Sequence, residues 1–169
     1  MRSPGPRDLI VTRTGLRFGG RRFPCTIGRG GVRVHKREGD GATPAGVHGL
    51  IGMLYRADRV ARPADWALAI GPGDLWSDDP ADPDYNLMVS LPHRFGHERL
   101  RRADRQYDVV ILTDWNWPEG ARGRGSAIFI HRWRRPGAPT AGCIGLSAAA
   151  LRWIAPRISV HTRLIVRLR

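Results

Sequence analysis

Glycine and proline interrupt this chain so often that its apolar runs are held to strand length. There are 21 glycines and 13 prolines in 169 residues; glycine supplies the positive-φ positions of turns, and proline removes a backbone donor from any helix or central strand. In "DLIVTRTGLRFGGRRFPCTIGRGG" the brief apolar stretches read as a meander of short strands. "GRGG", residues 28–31, lacks the Lys-Ser/Thr sequel of a phosphate-cradling loop and reads as a hairpin turn. A further strand is expected over 47–55, and two buried ones over 107–114 and 126–132. In the last of these, Ala127, Phe129 and His131 alternate onto one face. The stretch from "ADWALAIGPGDLWSDDPADPDYN" to "LPHRFGHERLRRAD", rich in Asp, Pro and Gly, reads as a long irregular excursion over the surface.

"SAAALRWIA" carries the one clear helical signal. Ser147 is placed to cap it, Leu151, Ile154 and Ala155 share a face, and Pro156 should stop it. In the closing "SVHTRLIVRLR", Val160, Thr162, Leu164, Val166 and Leu168 alternate with His161, Arg163, Ile165 and Arg167, which predicts a final strand. The fold class expected is mostly β with one or two short helices, as a single domain over 1–169.

The net charge of +13 comes almost wholly from arginine, since Lys36 is the only lysine. Spread along folded structure, it predicts attraction to something anionic: nucleic acid, a membrane surface or a carboxylate-rich polymer. Two cysteines, Cys25 and Cys143, allow at most one disulfide and exclude a cysteine-rich zinc module. Cys25 reads as a packed strand residue. His93 and His97 have i, i+4 spacing, but the Gly between them and the lack of an adjacent Glu argue against zinc. No run of eighteen apolar residues exists and "MRSPGPRDLIV" has no apolar signal-peptide core, so neither stable membrane insertion nor an export signal is expected.

The chemistry concentrates in "HRWRRPGAPTAGCIGLS", where eleven residues separate His131 from Cys143. Small neighbours leave the sulfur approachable and let backbone amides converge beside it. An imidazole or positive charge lowers a thiol pKa, and here His131 could supply the first and Arg132, Arg134 and Arg135 the second. A strand end followed by a tight loop could return the thiol to within hydrogen-bond reach of the imidazole. The plainer alternative is a buried thiol under a solvated basic loop. Trp115, Trp117 and Trp133 lie close by in sequence, to line a cleft or fill the core.

These residues resemble the signature of the YkuD-type L,D-transpeptidases, in which a strand ending in His is followed by a loop and then Ser or Thr, any residue, Gly, Cys and a β-branched residue. The matches are His131, Thr140, Ala141, Gly142, Cys143 and Ile144. "GDGATPAG", residues 39–46, is similar to the Thr-Pro-x-Gly element of that family, and "GRGSAIFIH" resembles its strand leading into the histidine. Ala141 stands where His is common, Gly145 where Arg or Asn is, and the loop before Thr140 is shorter than usual. The chain also looks like a compact alpha- and betaproteobacterial subgroup associated with 1,3 (L-Ala to diaminopimelate) cross-links.

The resemblance implies a β-rich, sandwich- or barrel-like catalytic domain that uses a cysteine nucleophile on peptidoglycan stem peptides, with no metal or other cofactor. Cys143 would attack a peptide carbonyl and His131 would move the proton, oriented by the main-chain carbonyl of Arg132. The N–H groups of Cys143, Gly142 and Ala141 would hold the oxyanion. Thr140, Ala141, Tyr85, Asn86, Tyr107, Arg134 and Arg135 are the substrate-binding candidates, although core packing also suits Tyr107. The substrate implies a Gram-negative periplasm and no nucleic-acid partner, and a monomer is the default expectation. The rival readings are a hydrolase with the same dyad, acting as an L,D-carboxypeptidase or amidase, a non-catalytic wall-binding relative, and a basic β module for single-stranded nucleic acid.

Overall fold

The computed structural model describes residues 3–168; Met1, Arg2 and Arg169, at the ends of the opening segment and the closing run, lie outside the described residues. The meander is present as β1 (Leu9–Thr12), β2 (Gly15–Phe18), β3 (Arg21–Phe23) and β4 (Cys25–Thr26). The short β5 (Val32–Arg33) and β6 (Thr43–Pro44) lead into the long β7 (Gly46–Tyr55). After β8 (Ala67–Ala69), the stretch expected to be irregular folds instead as β9 (Asp74–Ser77), β10 (Met88–Ser90) and β11 (His97–Arg99), a separate three-stranded sheet ordered β10-β9-β11. Three- and four-residue strands are too short to show a period. What holds them is burial: Trp76 packs with Leu54, Val110 and Phe129 of the main sheet, and Leu75 is fully buried too.

The remaining strands are β12 (Val109–Thr113), β13 (Phe129–Arg132), β14 (Ile144–Leu146) and β15 (Arg163–Val166). The main sheet runs β3-β2-β1-β15-β7-β12-β13-β14-β4, with β8 added to β7. Its two end strands, β3 and β4, are joined by Pro24 alone. The ladder must therefore curl until its ends meet, which makes a nearly closed, barrel-like sheet. β13 is shorter than expected because Ala127 has φ 52°, which breaks the alternation before Phe129. The closing strand is shorter too: Thr162 N–H donates to the Ser159 carbonyl at 2.9 Å in a turn, and Val160 and Leu168 are exposed instead of sharing the buried face.

Helix α1 (Ala148–Ile154) begins where expected: the Ser147 side chain accepts the Ala150 N–H at 3.0 Å. Pro156 does not end the helical path but sits in a 3₁₀ turn, Ala155–Arg157. Ala150, Leu151 and Ile154 pack onto the barrel interior with Leu16, Met53, Ile130 and Ile144. Ser147→Ala is expected to cost about 1 kcal/mol of stability, because it orphans an N-terminal donor of a two-turn helix; thermal unfolding would read it.

Candidate active site

Strand alternation puts His131 and Cys143 on one side of the main sheet. β13 and β14 run parallel with Ile130 opposite Ile144, and both isoleucines belong to the barrel interior. The residue after Ile130 and the residue before Ile144 must then project to the other face. These are His131 and Cys143. Phe129, Cys143, Trp76, Leu100, Tyr107, Val110 and Leu112 form a second apolar cluster there. Beside it lies a cleft of about 770 Å³ lined by Tyr107, Ala127, His131, Thr140, Ala141, Gly142 and Cys143 among others.

The loop that brings Cys143 back is pinned by the two glycine-rich segments. Residues 28–31 form a turn, Gly31 N–H donating to the Gly28 carbonyl at 2.9 Å, but not a hairpin: the flanking strands pair elsewhere, β4 with β14 and β5 with β6, and Arg29 N–H donates to the Thr140 carbonyl at 2.9 Å and Thr140 N–H to the Ile27 carbonyl at 3.0 Å. Thr43, in the Thr-Pro element, accepts the Gly28 N–H at 2.9 Å and donates to the Gly142 carbonyl at 2.7 Å. A Cβ on Gly28 would stand 2.1 Å from the Gly41 carbonyl oxygen and 3.0 Å from the Gly142 Cα, so only glycine fits. Thr140 Oγ1 donates to the Cys143 carbonyl at 2.6 Å and accepts the Gly142 N–H at 3.1 Å. Thr140 thus staples the loop, and the Gly142 N–H, expected to hold an oxyanion, is already committed.

His131 Nδ1–H donates to the Arg132 carbonyl at 2.8 Å, the main-chain partner expected, since a carbonyl can only accept. This tautomer leaves Nε2 unprotonated. The Tyr107 ring meets the imidazole edge-on at 5.1 Å, and its hydroxyl donates to Glu98 at 2.6 Å. Cys143 does not donate to His131: its S–H reaches the Ala127 carbonyl at 3.0 Å, and Phe129 N–H donates to the sulfur at 3.4 Å. Burial pushes the thiol up to about 12, with the Glu98 carboxylate adding to the rise. Burial likewise pulls His131 down to about 4, against the opposing pull of the Arg132 carbonyl. At neutral pH the pair rests as neutral thiol and neutral imidazole.

Those shifts predict a stability window. His131 is depressed from 6.5 to about 4 in the folded state, so the unfolded chain binds more protons between these values and stability falls as pH falls through them. Cys143 is raised from 9.0 to about 12, so stability is lost as pH climbs above 9.0. His48 acts in the same sense as His131, while Glu98, raised by burial, partly opposes them. A melting-temperature plateau between pH 6.5 and 9.0 is expected, with the His131 contribution on the acid side on the order of 3 kcal/mol. A His131→Phe variant should flatten that acid slope.

Of the other residues singled out in the sequence, Ala141, Tyr107 and Arg134 line the cleft, whereas Arg135 does not, and Arg132 contributes its main chain only. Tyr85 and Asn86 are buried behind it: Tyr85 donates its hydroxyl to Glu38, and Asn86 binds Trp76, Trp115, Asn116 and Ala127. They support the wall and do not form it. Trp115, Trp117 and Trp133 are also outside the lining. His93 lies 2.9 Å from Asp82. Lys36, Arg29, Arg102, Glu38, Asp78 and Glu98 also line the cleft, and being scattered from residue 29 to residue 102 they form no local motif. A signal did exist for Lys36: a sole lysine among 28 cationic side chains is chosen, and it is buried with its amine 2.9 Å from Asp40.

Neither a curated protein nor a solved structure matches the chain. A family model does: the L,D-transpeptidase catalytic domain, YkuD, matches residues 9–166, from the first strand to the last. With the barrel-like sheet, the His131 strand and the stapled Thr140–Cys143 loop in place, the chain belongs to the YkuD family of L,D-transpeptidase catalytic domains.

Proposed function

We propose that this protein is a peptidoglycan L,D-transpeptidase in which Cys143 accepts the acyl group of a stem peptide as a thioester and passes it to the side-chain amine of diaminopimelate. One observation carries the reading: Nδ1 of His131 is held on the Arg132 carbonyl, which leaves Nε2 as a base in the cleft that also holds the only lining thiol among the described residues. The S–H proton passes to Nε2 and the sulfur attacks the stem-peptide carbonyl. With the Gly142 amide engaged by Thr140, the N–H groups of Cys143 and Ala141 are the remaining donors for the oxyanion. His131 then protonates the departing amine and later takes the proton of the incoming one.

Stem peptides carry carboxylates on glutamate and diaminopimelate, and Arg29, Lys36, Arg102 and Arg134 offer them charge-assisted partners in the cleft. The link we favour joins L-Ala of the donor stem to diaminopimelate of the acceptor: the L-Ala–D-Glu bond breaks, the D-Glu amine leaves with the rest of the stem, and a 1,3 cross-link forms, which implies a periplasmic site of action. The test is mass spectrometry of purified muropeptides incubated with the protein. Dimers whose fragments show a 1,3 link are the expected product. Monomers trimmed without dimers would replace transfer by hydrolysis, and unchanged muropeptides would overturn the reading.

A further inference from the structure

Two residues that play no part in the scheme above hold the nucleophile. Ala127 has φ 52°, a left-handed conformation that costs an L-residue about 1 kcal/mol and persists only where its surroundings enforce it. Asn86 does the enforcing. Its Oδ1 accepts the Ala127 N–H at 2.9 Å and the Trp76 indole N–H at 3.1 Å, while its Nδ2 donates to the Trp115 and Asn116 carbonyls at 3.0 and 2.8 Å. With 2 % of its surface exposed and both side-chain polar atoms engaged, Asn86 is a fixed post. Held by it, Ala127 presents its carbonyl to the Cys143 sulfur at 3.0 Å. Among the described residues no hydrogen bond joins Cys143 to His131.

We propose that the Ala127 carbonyl, fixed by Asn86, is a latch on the nucleophile: it holds the thiol proton in the resting enzyme and gives it up to His131 only when a ligand amide N–H takes the carbonyl. The inference rests on the proposed use of Cys143 as nucleophile. An S–H is a weak donor and an amide N–H a strong one, so a peptide laid in the cleft displaces the thiol from its acceptor. Ala127 lines that cleft, beside the sulfur that must meet the scissile carbonyl, so a peptide backbone there brings its own N–H groups to hand. On release, the S–H bond breaks and its proton goes to Nε2 of His131. The electron pair stays on sulfur and forms the bond to the acyl carbon. Until then the thiol stays neutral, which protects it from electrophiles and oxidants that attack the thiolate.

Infrared spectroscopy of the S–H stretch tests this, with the Cys143 band assigned by its loss in Cys143→Ser. The ligand-free wild type should show the lowered frequency of a hydrogen-bonded thiol, and saturation with the tripeptide L-Ala-γ-D-Glu-diaminopimelate should move or abolish the band. Ala127→Val, whose branched side chain disfavours positive φ, should shift the band to that of an unbonded thiol and speed iodoacetamide alkylation of Cys143 about fivefold. Ala127→Gly, which reaches positive φ freely, should keep the wild-type band. A wild-type band at the unbonded position, a band unmoved by saturating tripeptide, or one unchanged in Ala127→Val would overturn the latch. If Ala127→Val does not fold, the wild-type band with and without tripeptide decides. A wild type that ignores muropeptides would sink the transpeptidase reading alone, because the ligand-free band and the Ala127 variants still judge the thiol's acceptor.

Discussion

Replacing Cys143 with alanine is expected to abolish transfer, by about a thousandfold or more, while leaving the fold intact. The sulfur is the only thiol lining the described cleft, and the proposed acyl-enzyme forms on it. Structurally the change is small, since the thiol's partners are one carbonyl and one amide around a residue 9 % exposed, and a stability loss of about 1 kcal/mol is expected. Cys25→Ala is the matching control: Cys25 lies on β4 against the barrel interior and outside the cleft lining, and transfer should survive its loss. Muropeptide dimer formation by both variants, alongside thermal unfolding, reads the difference. Activity retained by Cys143→Ala would remove the thioester from the mechanism.

The second large effect is on stability. Asn86→Ala deletes a buried amide that serves four partners, the Trp76 indole, the Ala127 amide and the Trp115 and Asn116 carbonyls. The two N–H groups and the Trp115 carbonyl lose their partner, while the Asn116 carbonyl keeps the Gly120 N–H at 3.1 Å, and alanine must also occupy the φ of 64° that asparagine tolerates better. A loss of roughly 4 kcal/mol is expected, or about 10 °C in melting temperature for a chain of this size. A substrate-binding role, which the sequence suggested for Asn86, would instead raise KM with the melting temperature unmoved.

Much of the chemistry was legible because it is local. Thr140, Gly142 and Cys143 lie within four consecutive residues, and their mutual hydrogen bonds follow from that spacing. Ser147 caps the helix it immediately precedes for the same reason. The longer strands announced themselves as apolar runs, as β7 and β12 do. The three-stranded sheet β10-β9-β11 escaped because its strands are three or four residues long, and they are held by what Trp76 buries against.

By itself, the sequence determined the class of fold, the strand that ends in His131, the loop that carries Cys143 and the family to which they belong. Local spacing, turn chemistry and alternation depend only on neighbours along the chain. The tertiary structure decided which groups face the thiol. The Ala127 carbonyl and not His131 accepts its hydrogen bond, Thr43 and Gly28 brace its loop from far upstream, and Lys36 and Glu98 share its cleft while Tyr85 and Asn86 stand behind the wall. Those choices follow from the closure of the sheet onto itself and the packing of a second sheet across it, which set residues distant in sequence within hydrogen-bond range.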